Sequence, residues 1–272
     1  MQTFRVIQPS DILKPFIRYY WILQSSSSGS VSQRTLPMGC ASLVFHRGER
    51  LRIINRQELQ PRSFICGQES GYSEIIATGN IEMIVVVFQP HTAKMFFGMP
   101  VNILRDRNVA LSDIGDMALL DLAKKIEECE DQDACIDLIE SSLCKRLINN
   151  TSYHLPRLAE VIRYINNSRQ GNIKTLADIS CLSEKQFCRV FSENVGTTPK
   201  EFMRIVRLQR ILSAMQHNPE IGFAQLSYDC GFTDQSHMIK EFKLFSGYTP
   251  TDYIKYNWYT GLARERRIPI IF

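Results

Sequence analysis

From residue 40 to residue 89 the chain runs in short apolar segments rich in β-branched and aromatic residues, punctuated by Gly and Pro. Residues 40–46, 51–55, 63–67, 74–77 and 82–89 are segments of this kind. Their length and spacing predict strands of a small barrel or sandwich. At Ser112 the period changes. Ile114, Met117, Ala118, Leu122 and Ile126 recur at helical spacing, as do Ile136, Ile139, Leu143 and Leu147. They predict two antiparallel helices separated by an acidic turn over residues 127–133. The Ser/Gly run at 25–30 reads as a flexible loop, too short for a domain linker. The polar stretch at 149–152 ends the first domain, giving expected domains over 1–150 and 151–272.

The second half is helical and repeats itself. Leu176, Cys181 and Leu182 reappear 50 residues on as Leu226, Gly231 and Phe232. Arg189, Phe191, Gly196, Thr198, Pro199 and Phe202 reappear 51 residues on as Lys240, Phe242, Gly247, Thr249, Pro250 and Tyr253, so the second copy carries one extra residue in its turn. Each copy reads as a helix-turn-helix. In the first, Leu176, Ala177 and Ile179 face inward on the leading helix, and Ser183 stands where an N-cap is needed. Phe187, Val190 and Phe191 share one face of the following helix. Glu184, Lys185, Cys188, Arg189 and Ser192 take the other face. In the second copy Thr233 or Asp234 is the cap. Met238, Phe242 and Phe245 face in, and Gln235, Ser236, His237 and Lys240 face out. Gly-x-Thr-Pro ends each unit and starts the next helix, with Thr as cap and Pro at its first position. A long helix from Pro199 to about Met215 joins the units. Its apolar stripe includes Phe202, Ile205, Val206, Leu208 and Leu212, and Arg204, Arg207 and Arg210 are expected outside. Leu158, Val161, Ile162 and Ile165 mark a packing helix ahead of the repeat.

Charge sharpens this picture. Residues 1–150 hold 16 Lys+Arg against 17 Asp+Glu, whereas residues 151–272 hold 16 against 11. The basic surplus lies entirely in the helical half and points to an anionic partner. The eight cysteines form neither a Cys-x-x-Cys pair nor a Cys/His cluster at zinc spacing. The first five residues lack the apolar core of a signal peptide, and the run from Met83 to Phe88 is too short to span a bilayer. The expectation is a cytoplasmic protein with reduced thiols.

Residues 156–257 resemble the DNA-binding domain of AraC/XylS regulators. The carriers are Leu176-Ala177, Ser183 with Phe187-x-Arg189-x-Phe191, Gly196-x-Thr198-Pro199, Arg207-Leu208, Gly231-Phe232, Gln235-Ser236 and Gly247-x-Thr249-Pro250. Ser227 and Ile211 stand where that family usually has alanine, Met238 replaces a common phenylalanine, and Cys188 a longer polar reader. The first half is similar to the regulatory half of one branch of the family, through Pro15-Phe16-Ile17-x-x-Tyr20-Trp21, Leu36-Pro37, Leu43-Val44-Phe45, Phe88-x-Pro90 and Phe97-Gly98-x-Pro100. The resemblance implies an α+β protein, with a cupin-like barrel and a helical pair used for dimerisation, followed by an all-α domain of two helix-turn-helix units. It implies a bacterial homodimer that binds double-stranded DNA, with RNA polymerase and a small-molecule effector as further partners and with no cofactor, metal or catalytic residue. Outward Arg and Lys on a single helix usually mark a solvated face; two helices of matching design favour DNA. Lys185, Gln186 and Arg189, then Gln235, His237 and Lys240, are the expected base readers, with Glu184, Cys188 and Ser236 beside them. Arg204, Arg207 and Lys243 are the expected phosphate contacts.

An alkyl-transfer DNA repair protein is the rival, since such enzymes carry the same DNA-binding domain. Neither Cys40 nor Cys66 has the adjacent His that the transfer site needs, and the zinc cysteines are missing. His46 and His91 lack a His-x-His or Glu partner and read as structural. Phe16, Tyr19, Tyr20 and Trp21 read as core rather than as the lining of an effector pocket.

Overall fold

A computed structural model describes residues 2–26, 32–148, 153–168 and 171–260. Most of the Ser/Gly run and the polar stretch at 149–152 lie outside the described residues. The strands are β1 (Gln2–Ile7), β2 (Ile17–Ser25), β3 (Gln33–Thr35), β4 (Ser42–His46), β5 (Leu51–Ile53), β6 (Glu58–Leu59), β7 (Ser63–Cys66), β8 (Ser73–Ala77), β9 (Ile81–Phe88) and β10 (Asn108–Ala110). They form a six-stranded sheet in the order β1-β2-β9-β4-β7-β10 and a four-stranded sheet in the order β3-β8-β5-β6. Every pairing is antiparallel.

The six-stranded sheet is covered on both faces, which explains why β9 is a continuous apolar run rather than an alternating one. Its two side-chain sets go to different cores. Ile84, Val86 and Phe88 join Tyr20, Ile22, Leu43, Phe45 and Ile65 beneath the helices. Ile81, Met83, Val85 and Val87 join Tyr19, Val44, Phe64 and Leu51 between the sheets. Tyr19 and Tyr20 are thus both core, on opposite faces of β2.

Helices α1 (Ala93–Phe97), α2 (Leu111–Ile114), α3 (Met117–Glu128) and α4 (Gln132–Ile148) follow the strands. Asp116 starts α3, accepting the N–H groups of Ala118 and Leu119. The same carboxylate takes Arg146 of α4 at 2.6 Å, and Arg146 also donates to the Phe96 carbonyl of α1 at 2.8 Å. Leu119, Leu122, Ile126, Ile136, Ile139 and Leu143 are buried in the core over the large sheet. The broad six-stranded sheet takes up these apolar stripes within one chain. Met117 is left exposed at the start of α3.

The remaining helices are α5 (Leu155–Asn167), α6 (Ile173–Ile179), α7 (Glu184–Val195), α8 (Pro199–His217), α9 (Phe223–Asp229), α10 (Gln235–Ser246) and α11 (Pro250–Thr260). Two cores are built here. Phe187, Val190, Phe191 and Phe202 meet Leu158, Val161 and Leu176 in one. Met238, Phe242 and Phe245 meet Leu226, Leu208 and Leu212 in the other. Helix α8 serves both, with Phe202 and Val206 in the first and Ile205, Leu208, Ile211 and Leu212 in the second. The protein is an α+β chain, sheet-rich at its N-terminal end and helical after it.

Candidate nucleic-acid interface

The helices that carry the expected readers begin where the sequence places their caps. Ser183 accepts the Gln186 N–H at the start of α7, and Asp234, not Thr233, accepts the His237 N–H at the start of α10. Thr198 and Thr249 accept the N–H groups of Glu201 and Asp252, with Pro199 and Pro250 next in line. Each cap satisfies a donor that the helix cannot, worth about 1 kcal/mol. The turn inside each unit needs a left-handed residue: Gly231 has φ +79° and its counterpart Cys181, a rare non-glycine choice, has φ +53°.

Glu184, Lys185, Gln186 and Arg189 are exposed on α7, and Gln235, Ser236, Lys240 and Lys243 are exposed on α10. Two expected readers sit deeper. Cys188 is half-buried against the first core. His237 is half-buried with its ring edge against Phe232, 5.4 Å between centres, and its Nδ1 lies 3.2 Å from Thr233 Oγ1.

The three arginines of α8 are half-buried rather than outside. Arg204 makes a fork to both carboxylate oxygens of Glu241, at 2.7 and 2.8 Å. The guanidinium holds that carboxyl below the usual range, and the carboxylate raises the arginine in turn. The fork braces α8 against α10. Arg210 donates to the carbonyls of Ile165, Asn166 and Ser168 at 2.7–2.9 Å, closing the end of α5. Arg207 lies over the Phe232 ring, 5.1 Å from its centre. These partners are distant in sequence, so helical periodicity alone gave no sign of them.

Sequence reasoning also missed the contact between the two halves. Lys94 pairs with Glu193 at 2.8 Å, lowering that carboxyl chiefly by its hydrogen bond. Arg105 pairs with Glu201, which also accepts the Thr197 hydroxyl. Gln209, buried on α8, donates to the Pro37 carbonyl at 2.6 Å. Gly196, at φ +91°, packs so closely that a Cβ there would lie 2.9 Å from Gln68 Cγ and 3.0 Å from Val101 Cγ1. A Cβ at its repeat partner Gly247, at φ +72°, would lie 2.6 Å from both Arg34 Nη1 and the Tyr72 ring. The N-terminal half thus grips the same turn of both units, at the ends of α7 and α10 away from their capped starts.

Elsewhere the candidate chemistry is buried or, at Cys66, partly buried. Cys40 is buried with its thiol pushed up chiefly by burial, and Arg18 Nη1 lies 3.7 Å from its sulfur. Burial likewise pushes the Cys66 thiol up. His46, 3.0 Å from Gln60 Oε1, is pushed down to about 4, mainly by burial. Burial does the same to His91, also to about 4. No helix among the described residues is long and apolar enough to cross a membrane.

Residues 176–256 match the family described as a helix-turn-helix domain, and residues 5–110 match a domain of unknown function, DUF6597. The chain is similar to the uncharacterized HTH-type transcriptional regulator YdeC of Bacillus subtilis, 32% identical over 31% of this chain and 29% of that protein. It is similar to the HTH-type transcriptional activator RhaS of an Enterobacter species, 26% identical over 42% of this chain and 40% of that protein. Its similarity to the Msm operon regulatory protein of Streptococcus mutans is 21% identity over 87% of this chain and 83% of that one. The matched segment spans less than half the length of the first two of these relatives. Two capped helix-turn-helix units on one shared helix define the class of the C-terminal half. With these similarities, residues 176–256 are a helix-turn-helix domain, similar to those of the HTH-type regulators YdeC and RhaS.

Proposed function

We propose that this chain is a sequence-specific DNA-binding transcription regulator of the bacterial cytoplasm, whose α7 and α10 read two adjacent major-groove segments. One observation carries the reading: two helices of repeated design each present exposed polar and basic residues from a capped N-terminal end, while their far ends are occupied by the N-terminal half. Lys185, Gln186 and Arg189, with Gln235 and Lys240, are then the base readers, and His237 reaches from the edge of the second. Lys243 and the N–H groups at helix starts supply phosphate contacts.

The contacts of Arg34, Lys94, Arg105 and Pro37 couple the N-terminal domain to the helical half, as regulation by a small-molecule effector in that domain requires. Pairing into a homodimer remains part of the proposal because operators commonly have two-fold symmetry. Its support on this chain is exposed Met117 with half-buried Leu120 one turn on. Contact with RNA polymerase belongs to the same reading. Burial of Cys40, and the raised thiols of Cys40 and of partly buried Cys66, weigh against alkyl transfer and favour a protein without catalysis.

The test is selection of duplexes from a random DNA pool by the purified full chain, followed by binding measured against salt. An enriched sequence whose log affinity falls linearly with log salt is the expected result. Failure to enrich any sequence, by protein that is folded, rejects the reading.

A further inference from the structure

A cleft of about 440 Å³ lies between the two helix-turn-helix units. Lys200, Arg204, Arg207, Arg210, Thr233 and His237 line it, so it opens beside the first turn of α10 and its exposed readers. Two of its arginines are already satisfied, Arg204 by Glu241 and Arg210 by the carbonyls of α5. Arg207 is different. It makes no hydrogen bond to any described residue, and its Nε is buried without a partner. Burial pushes its guanidinium below the ordinary arginine value and the neighbouring Arg204 adds to this; Glu241 opposes them, but both its oxygens are engaged by Arg204. A guanidinium in this position is short of an anion. Its planar fork of N–H donors matches the paired oxygens of a phosphate. Lys200, exposed on the first turn of α8, adds a second cation to the same cleft.

We propose that this cleft is a phosphate-binding site, anchored by Arg207 with Lys200, and that it takes a backbone phosphate of the DNA strand running between the two grooves. The inference rests on the DNA-binding reading and makes it specific. It places a sequence-independent contact at the joint between the units, where it fixes their register on the duplex without reading bases.

The experiment uses the full chain and a duplex enriched by selection. Arg207→Met keeps an apolar stem against Phe232, Arg207→Lys keeps the charge, and Lys200→Ala changes an exposed side chain. Loss of one phosphate contact lowers the slope of log affinity against log salt by about one. Arg207→Met and Lys200→Ala are each expected to show that drop on enriched and unrelated duplexes alike, and Arg207→Lys to restore the slope. In parallel, inorganic phosphate at constant ionic strength is titrated while the Arg207 side-chain Nε–H signal is followed by NMR. A shifted signal with an unchanged DNA slope assigns the site to free phosphate instead of the DNA backbone. An unchanged slope in Lys200→Ala and both Arg207 variants, with no response to phosphate, overturns the site. Should Arg207→Met melt early, Lys200→Ala and the phosphate titration still decide. If the native chain enriches no duplex, the DNA reading fails by itself, and the phosphate titration alone judges the cleft.

Discussion

The guanidinium of Arg34 lies 3.9 Å from the centre of the Tyr248 ring. On its other contact it meets the Tyr72 ring at 4.5 Å, and one N–H reaches the Ser246 carbonyl at 3.3 Å. A residue of β3 thereby holds the turn after α10, the counterpart of the turn that Gln68 and Val101 hold after α7. Replacing Arg34 by Ala removes a stacked cation between two aromatic rings and one hydrogen bond, together about 1–3 kcal/mol. Hydrogen exchange in residues 235–255 is expected to rise, while exchange in residues 173–195 stays as in the native chain. Equal protection in both units after the change would mean that Arg34 does not tether the second one.

Arg204→Ala is expected to cost stability without changing the salt dependence of DNA binding. The side chain gives both oxygens of Glu241 a donor, and Glu241 is half-buried, so removing the fork leaves an unpaired carboxylate at a cost of about 1–3 kcal/mol. Because the Glu241 carboxyl is depressed in the folded state, its contribution is complete above the ordinary value of 4.5 and is lost as pH falls through the lower folded value. Urea midpoints of the native chain should therefore drop on acidification below that value, and this part of the drop should vanish in Arg204→Ala. A variant with native stability and a shallower salt slope would restore Arg204 to the phosphate contacts.

Cys181→Gly should stabilise the first unit. Cys181 holds φ +53°, where a side chain costs about 1–2 kcal/mol, while glycine costs about 0.5–1 kcal/mol in the flexibility it gives the unfolded chain. The net expectation is a gain of about 0.5 kcal/mol, and Gly231→Ala at φ +79° should lose about 1 kcal/mol. Denaturant midpoints of the two variants, moving in opposite directions, are the check. Movement in the same direction would mean that the backbone conformation is not what sets the choice.

What could be read in advance follows from how local each signal is. The helical half was legible because Ser183, Thr198, Asp234 and Thr249 cap their own helices, Gly196 and Gly247 end them, and the apolar spacing repeats. Strand β9 was legible as a run, and β4 and β7 for the same reason. β2 was read only as aromatic core, because a strand buried on both faces shows no alternation across Tyr19, Tyr20, Trp21 and Ile22. β3 and β10 were missed because three residues leave no period to detect and, unlike the equally short β5 with Leu51 and Ile53, neither carries a pair of large apolar residues. The exposed readers of α7 and α10 stood out from their own helices, whereas the arginines of α8 did not. Glu241, the α5 carbonyls and Phe232 are all at least 25 residues away in sequence from the arginines they meet.

Arg189 and Lys240 occupy equivalent places in the two units, and both are exposed. Helix α8 runs for 19 residues between the units, about 28 Å at ~1.5 Å per residue. The two-groove reading requires the starts of α7 and α10 to lie near the ~34 Å that separates successive major-groove faces. Both turns are also held by the N-terminal half; units kept rigid in this way meet a mismatch with straight DNA by bending the DNA, at about 1–6 kcal/mol. Arg189→Ala is therefore expected to relax base preference in one segment, and Lys240→Ala in another about 10 base pairs away. Each change should cost about 1–3 kcal/mol on the best sequence and little on unrelated duplexes. Base-by-base affinity scans of the enriched duplex with each variant give the two footprints, and a circular-permutation gel assay gives the bend. If both substitutions alter preference at the same base pairs, or if only Arg189 matters, then α10 does not read a groove of its own.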